Sequence, residues 1–354
     1  MKILLLGEYS ALHKNLKEGL QQLGHDVVIA STGDGWKKIE PDIDLLYHGR
    51  LKKIMRRIYP LSKIKYMSGF DVAQLINPFV FYGKFYPSRY FIEQIAKQNN
   101  RLFMLAAGDD AYFWKYSSKV LRYSAFDDFL KYDLKSPEYY MQKNKAFEFN
   151  DYVISRIVGI IPVMYEYEVA YQYHPKRRPT IPIPMNTEKI DYIPNVPQKK
   201  LVVSHGLNRY GTKGTRYVEA AFEILRHKYP NDLELIISEK MPLDQYLALM
   251  RRTNIVIDQT SSYSCGVNAI YALAMGKVVL GGAEPESLRS LGVSRSPVIN
   301  ILPSSESIVE KIKMLLERKG EIEHIGHESR AFCEKVHGHI SVAKRFIEAW
   351  NKDW

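Results

Sequence analysis

Three short stretches of this 354-residue chain gather residue types able to hold an anion or move a proton. In His205-Gly206-Leu207-Asn208-Arg209-Tyr210-Gly211-Thr212-Lys213-Gly214, two cations stand among glycines directly after an apolar run. Glycine lets backbone approach a ligand closely, arginine can grip phosphate oxygens with two parallel bonds, and lysine adds a point charge. The same residues also suit a flexible surface turn with two solvated cations. The second stretch, Ser261 to Asn268, ends in Gly266-Val267-Asn268 at the start of an expected helix. Backbone N–H groups there can bind an anion, or the segment is an ordinary helix cap. The third is Gly108-Asp109-Asp110, whose carboxylates can orient a hydroxyl, act as a base or cap the next helix. In the same half, the Gly7-Glu8-Tyr9-Ser10 turn leads to His13, a lone histidine of a kind that is more often structural than catalytic.

The elements around these stretches alternate between short apolar runs and amphipathic segments. Strands are expected at Lys2–Gly7, Asp26–Ala30, Asp44–Tyr47, Asp71–Ile76 and Arg101–Ala106, with a further apolar run at Ile157–Met164. Leu16, Leu20 and Leu23 mark one helical face, and Ser88–Gln98 reads as another helix. Asp110–Asn150, rich in aromatic residues and lysine, breaks the rhythm as a helical or lid-like insert. Two prolines in Tyr192–Gln198 resist helix and mark a linker. Beyond it, strands are expected at Leu201–Ser204, Leu233–Ile237, Ile255–Asp258, Val278–Leu280 and Val298–Ile301. Helices are expected at Thr215–Lys228, Leu243–Arg251, Val267–Met275, Ser307–Arg318 and Ile340–Trp350. Strands separated by helices predict parallel sheets covered on both faces. The division this implies is residues 1–195, 196–338 and a closing segment 339–354 that can pack back on the first domain.

Composition narrows the class. Hydrophobic residues make up 46% and charged residues 25%, ordinary globular values. Two cysteines, Cys265 and Cys333, are too few for a disulfide framework, which points to a reducing cytoplasm. Neither has metal-type spacing, and no metal cluster is visible. The opening apolar run is too short for a signal peptide, and no stretch approaches the ~20 apolar residues that span a bilayer. The net charge of +11 is uneven. Between Asp44 and Asp71 there is no acid, whereas Arg50, Lys52, Lys53, Arg56, Arg57, Lys63 and Lys65 alternate with Leu51, Ile54, Met55, Ile58, Tyr59, Leu61 and Ile64. Such a segment can lie on an anionic membrane or simply pack on its own domain. No nucleic-acid motif accompanies the charge.

Taken together the segments resemble glycosyltransferases of the two-Rossmann-domain (GT-B) type, closest to glycosyltransferase family 4, over nearly the whole chain. The family's Gly-rich first turn and Gly-His-acid-Val segment are matched by Gly7 and by Gly24-His25-Asp26-Val27. Its basic pair before Lys-Gly is similar to Arg209 and Lys213-Gly214. Its helix start and Ala-Met-Ala-x-Gly-Lys segment resemble Gly266-Val267-Asn268 and Ala272-Leu273-Ala274-Met275-Gly276-Lys277. Two glutamates eight residues apart in the family correspond here to Tyr263 and Tyr271. Glu284 and Glu286, on the next loop, offer carboxylates in their place. The resemblance implies an α/β fold of two Rossmann-like domains facing across a cleft. It also implies transfer of a sugar, with retention, from a nucleoside-diphosphate donor to a glycan or lipid-linked acceptor hydroxyl, without a metal. Gly7, Arg209, Lys213, Gly266, Val267, Asn268, Glu284 and Glu286 would bind the donor. Asp109 and Asp110 would serve the acceptor side, with His13 behind them. A nucleotide-sugar epimerase and a non-catalytic sugar- or partner-binding relative share the architecture.

Overall fold

The computed structural model of the chain describes residues 1–35, 39–50, 52–83, 86–136, 138–239, 241 and 243–352. Leu51 and the side chains of Lys52, Lys53 and Ile54, part of the basic segment, lie outside it. The chain is mixed α/β with two parallel sheets and divides into two compact units.

The first unit comprises residues 1–117, 140–186 and 339–354. Its strands are β1 (Lys2–Leu6), β2 (Asp26–Ser31), β3 (Ile43–Asp44), β4 (Val72–Leu75), β5 (Arg101–Ala106) and β6 (Gly159–Pro162). They lie in the order β3-β2-β1-β4-β5-β6, and every pairing is parallel. Ile3, Leu4, Leu5 and Leu6 are wholly buried, as a parallel strand covered on both faces requires. The third strand ends earlier than its apolar run because the Asp44 carboxylate accepts the Leu46 N–H at 2.7 Å and turns the chain. The closing helix, His339–Asn351, packs on the Leu12–Gln22 helix. Gly19 makes this possible, since a Cβ there would clash with the His339 carbonyl. Trp350 is buried and donates its indole N–H to Gln74 at 3.1 Å.

The second unit comprises residues 118–139 and 187–338. Its strands are β7 (Leu201–Gly206), β8 (Leu233–Ser238), β9 (Ile255–Ile257), β10 (Val278–Gly281) and β11 (Ile299–Asn300). Their order is β11-β10-β9-β7-β8, again all parallel. Val203, Phe222, Leu225, Ile257, Val278, Leu280, Ile312 and Leu315 form its core. The Tyr192–Gln198 segment begins as part of this unit. Ile193 donates its N–H to Met275 O at 3.2 Å, and buried Asn195 exchanges amide bonds with Asn254. The aromatic insert is itself divided, its residues 118–139 clustering with the second unit.

Each sheet grows first to one side of its opening strand and then to the other. The reversal falls between β1 and β4 in the first unit, and between β7 and β9 in the second. In open parallel sheets such a reversal leaves a crevice beyond the carboxyl ends of the strands, where ligands bind. Both Rossmann-like units therefore direct attention to the loops after these strands.

Candidate functional site

In the second unit, the loop after β7 makes one helical turn, Tyr210–Lys213, before the Thr215–Lys228 helix. Gly214 joins them at φ +63°, and a side chain there would collide with Thr260. Lys213 reaches across the reversal point to Asp258, just beyond β9, with Nζ 2.5 Å from Oδ1. The other oxygen of Asp258 accepts the Gly266 N–H at 2.9 Å. One buried carboxylate thus ties together the lysine and the helix start that the sequence singles out. Burial alone would raise its pKa, but the Lys213 charge and the Gly266 N–H hold it below the usual carboxylate range. His205 lies beneath, donating Nδ1–H to Ile257 O at 2.9 Å and accepting from Thr215 Oγ1 at 3.0 Å. Burial lowers its pKa to about 4, so it is neutral at pH 7.

Arg209 is exposed beside this turn, and Val267 and Asn268 are half-exposed at the start of their helix. As first-turn residues they have no intrahelical acceptor for their N–H groups. Lys213 and Gly266 are thus joined through Asp258, with Arg209 at the head of the Lys213 turn and Val267–Asn268 directly after Gly266.

Glu284 and Glu286 belong to a neighbouring cluster. Glu284 is buried and accepts from Arg122 Nη2 at 2.6 Å, Tyr123 OH at 2.7 Å and Asn300 Nδ2 at 2.9 Å. Glu286 lies 3.4 Å from the same guanidinium. The Tyr263 hydroxyl accepts the Arg122 N–H at 2.9 Å, and Tyr271 packs near Tyr246. Arg122 and Tyr123 come from the 118–139 strap. Farther along the strap, Asp133 accepts the N–H groups of Gly211 and Thr212 at 3.0 and 2.7 Å, and Asp128 pairs with Arg216 at 2.6 Å.

In the first unit, β1 ends at Gly7, whose φ of +87° suits glycine. Ser10 and Ala11 follow in the left-handed region, held where Ser10 donates its N–H to Asp34 at 2.7 Å. Glu8 is buried and caps the Leu12–Gln22 helix, accepting from Lys14 N at 2.8 Å and His13 N at 3.3 Å. Burial nonetheless pushes its carboxyl up to about 7. His13 is fully buried; its Nδ1–H donates to Gly7 O at 2.7 Å and its Nε2 accepts from Gln74 at 3.3 Å. Burial lowers its pKa to about 4, leaving it neutral. Asp110 is also fully buried, accepting the Phe113 N–H at 2.7 Å and the Tyr171 hydroxyl at 2.8 Å, and burial raises its pKa to about 6. Asp109 is partly exposed, and its carbonyl accepts from Asn77, just beyond β4, at 3.1 Å.

The structure therefore brings Lys213 and Gly266 together and seats Glu284 and Glu286 on Arg122. It places Gly7 and His13 in one hydrogen-bonded unit and locks Asp110 into a turn. Asp258, Arg122 and Glu8 are the residues that the motif reading passes over. Asp258 and Glu8 had a legible signal, an acid directly after an apolar strand at the sheet's reversal point. Arg122 had none, because its partners lie more than a hundred residues away. Among the described residues no three His, Cys, Asp or Glu side chains cluster as ligands for a metal.

No protein-family model matches the chain, and no curated protein matches its sequence. Its fold does match solved structures. Sucrose-phosphate synthase from Thermosynechococcus elongatus is 15% identical at a TM-score of 0.63, covering 99% of this chain and 98% of that one. Anabaena HepE, solved with UDP and glucose, is 12% identical at 0.63, covering the whole of both chains (100% each). UDP-GlcNAc 2-epimerase from Neisseria meningitidis, bound to UDP-GlcNAc, is 14% identical at 0.56, covering 100% of both. The chain shares the two-Rossmann-domain α/β fold of these proteins.

Glu8 offers a direct check on the first-unit geometry. Its carboxyl is harder to ionise in the folded chain, so its contribution is fully present below about pH 4.5 and is lost as pH rises through about 7. Between pH 5 and pH 8 the stability of Glu8→Gln relative to wild type should therefore rise by about 2.5 kcal/mol. Urea unfolding at the two pH values measures this, and a difference independent of pH would show that Glu8 is not buried as described.

Proposed function

We propose that the protein is a glycosyltransferase that moves a sugar from a nucleoside-diphosphate donor to an acceptor hydroxyl. The observation that carries this reading is the second unit's reversal point, where Asp258 ties Lys213 to the Gly266 helix start and Arg209 stands exposed at the head of the Lys213 turn. The fold shared with HepE, whose structure holds UDP and glucose, and with sucrose-phosphate synthase supports it.

In this reading the acceptor oxygen bonds to the anomeric carbon as the bond from that carbon to the donor diphosphate breaks. The diphosphate leaves with the bonding electron pair. Arg209, Lys213 and the first-turn N–H groups stabilise the charge that develops on it, and being held in place beforehand they need little reorganisation. This requires no metal. Asp109 and Glu8 are the acceptor-side carboxylates, and a carboxyl titrating near neutrality suits proton transfer. Asp110 and His13 hold the turns that position them. Glu284 contacts the donor only when Arg122 and Tyr123 yield it, whereas among the described residues Glu286 pairs with Arg122 alone. The sugar transferred is a hexose and the configuration is retained by analogy with the resembled family.

The acceptor is a glycan or a lipid-linked glycan, as cell-surface polysaccharide or glycolipid synthesis would use. The basic segment supports the lipid-linked form, since Arg56, Arg57 and Ile58 are exposed on its helix, Lys52–Ser62, and Tyr66 is exposed beyond it. A segment with exposed cations and apolar side chains suits an anionic inner-membrane surface, at which a cytoplasmic enzyme would dock peripherally. No described helix is long and apolar enough to cross a membrane. The epimerase neighbour favours a second reading, epimerisation of the nucleotide sugar itself. Incubation of UDP-sugars without acceptor separates the two, because only an epimerase then yields an altered nucleotide sugar.

Calorimetric titration with UDP tests the donor site. Arg209→Ala and Lys213→Ala should each weaken binding about tenfold or more, the scale of a lost charge-assisted hydrogen bond. Unchanged affinity in both variants would remove the site. For the basic segment, flotation with phosphatidylglycerol vesicles should recover the wild type but little of Arg56→Gln/Arg57→Gln, with neither floating on neutral phosphatidylcholine. Equal recovery of both proteins on the anionic vesicles would end the membrane proposal.

A further inference from the structure

The second unit has a cavity of about 550 Å³ at the end of its sheet opposite the donor site. Val202 at the start of β7, Glu234 in β8, Asn254 before β9 and Lys277 before β10 all line it. Its volume is that of an ordinary small-molecule site. Its charge is lopsided, with Lys199, Lys200, Arg251, Arg252 and Lys277 facing a single acid, Glu234. That acid is already engaged by Arg252 at 2.7 Å.

Lys277 is the telling member. Only 1% of its surface is exposed, and its ammonium reaches the Arg251 carbonyl at 3.2 Å. Among the described residues no carboxylate pairs with it. A buried cation normally has an anionic partner, because taking it out of water is otherwise costly. Burial accordingly lowers its pKa to about 8. The wall behind it is firm, with Asn254 accepting the Val202 N–H at 3.0 Å and bonded in turn to Asn195. A firm wall beside a cluster of cationic side chains, of which Lys200 also reaches the Pro230 carbonyl at 2.7 Å, favours a compact, multiply charged anion. Arginine forks and lysine point charges together match phosphate oxygens.

We propose that this cavity is a second ligand site, specific for the phosphate group of a small phosphorylated molecule. The phosphate sits against Lys277 and Arg251, and Lys199 and Lys200 draw it in from the rim. The site is separate from the donor site and does not depend on the chain being a transferase. Its ligand class is a phosphate ester or a free inorganic phosphate, both offering the same oxyanion.

Titration calorimetry of the full chain with glucose 6-phosphate and with inorganic phosphate tests the proposal. The expected result is binding of at least one probe that weakens about tenfold in Lys277→Gln, a loss equal to one charge-assisted hydrogen bond. Lys199→Gln/Lys200→Gln alters only exposed side chains, so it keeps the test valid if the buried variant fails to fold. The double variant should show the same loss while its UDP titration is unchanged. Arg209→Ala should retain the probe binding, which separates this site from the donor site. Preference for the hexose phosphate identifies an ester ligand, and preference for inorganic phosphate an inorganic one. Absence of binding to the wild type, or binding that survives in the lysine variants, would overturn the proposal.

Discussion

The second unit depends on the carboxylate of Asp258. Placed just past β9, it faces the reversal point of the sheet and is almost wholly buried. It is stable there only because Lys213 and the Gly266 N–H satisfy both its oxygens. In return it fixes the end of the turn after β7 and the start of the Val267–Ala274 helix. Two loops far apart in sequence become one surface. The first unit solves the same problem without charge. Neutral His13 links the Gly7 carbonyl to Gln74, and Gln74 to Trp350 of the closing helix. A buried neutral histidine underlies the loop after the opening strand in both units.

The strap of residues 118–139 adds a second layer to this surface. It supplies one cation, Arg122, to Glu284 and Glu286 and a carboxylate, Asp133, to the amides of Gly211 and Thr212. Three bonds to Glu284 make it a structural residue as the chain stands. Tyr263 accepts a strap amide, the N–H of Arg122, so this tyrosine and the arginine of the strap are parts of one local packing arrangement.

Much of the architecture was legible in the sequence because parallel strands buried on both faces are written as short apolar runs. Lys2–Leu6 and Arg101–Ala106 show this directly, and Leu16 with Leu20 shows the helical face between them. Short edge strands were harder to bound, since Asp44 ends β3 through a bond to a nearby amide rather than through loss of hydrophobicity. Residues 118–139 could not be placed, because their pairing with Arg216, Glu284 and Gly211 is long-range. In the site, Arg209, Lys213 and Gly266 carried a local signal of glycine and charge. Asp258 was visible only as the last residue of a strand, and its role emerges from strand order. His13 was visible as a polar residue near the first helix and Asp110 as one past a strand end, but their burial was not, as it depends on Gln74, Tyr171 and Trp350.

The central claim is that the loops tied by Asp258 form the place where a diphosphate binds. A crystal structure of the protein with UDP tests this most directly. The account predicts diphosphate oxygens in contact with Lys213 and Arg209 and with the N–H groups of Val267 and Asn268. A diphosphate bound elsewhere, with those groups left facing water, would contradict it.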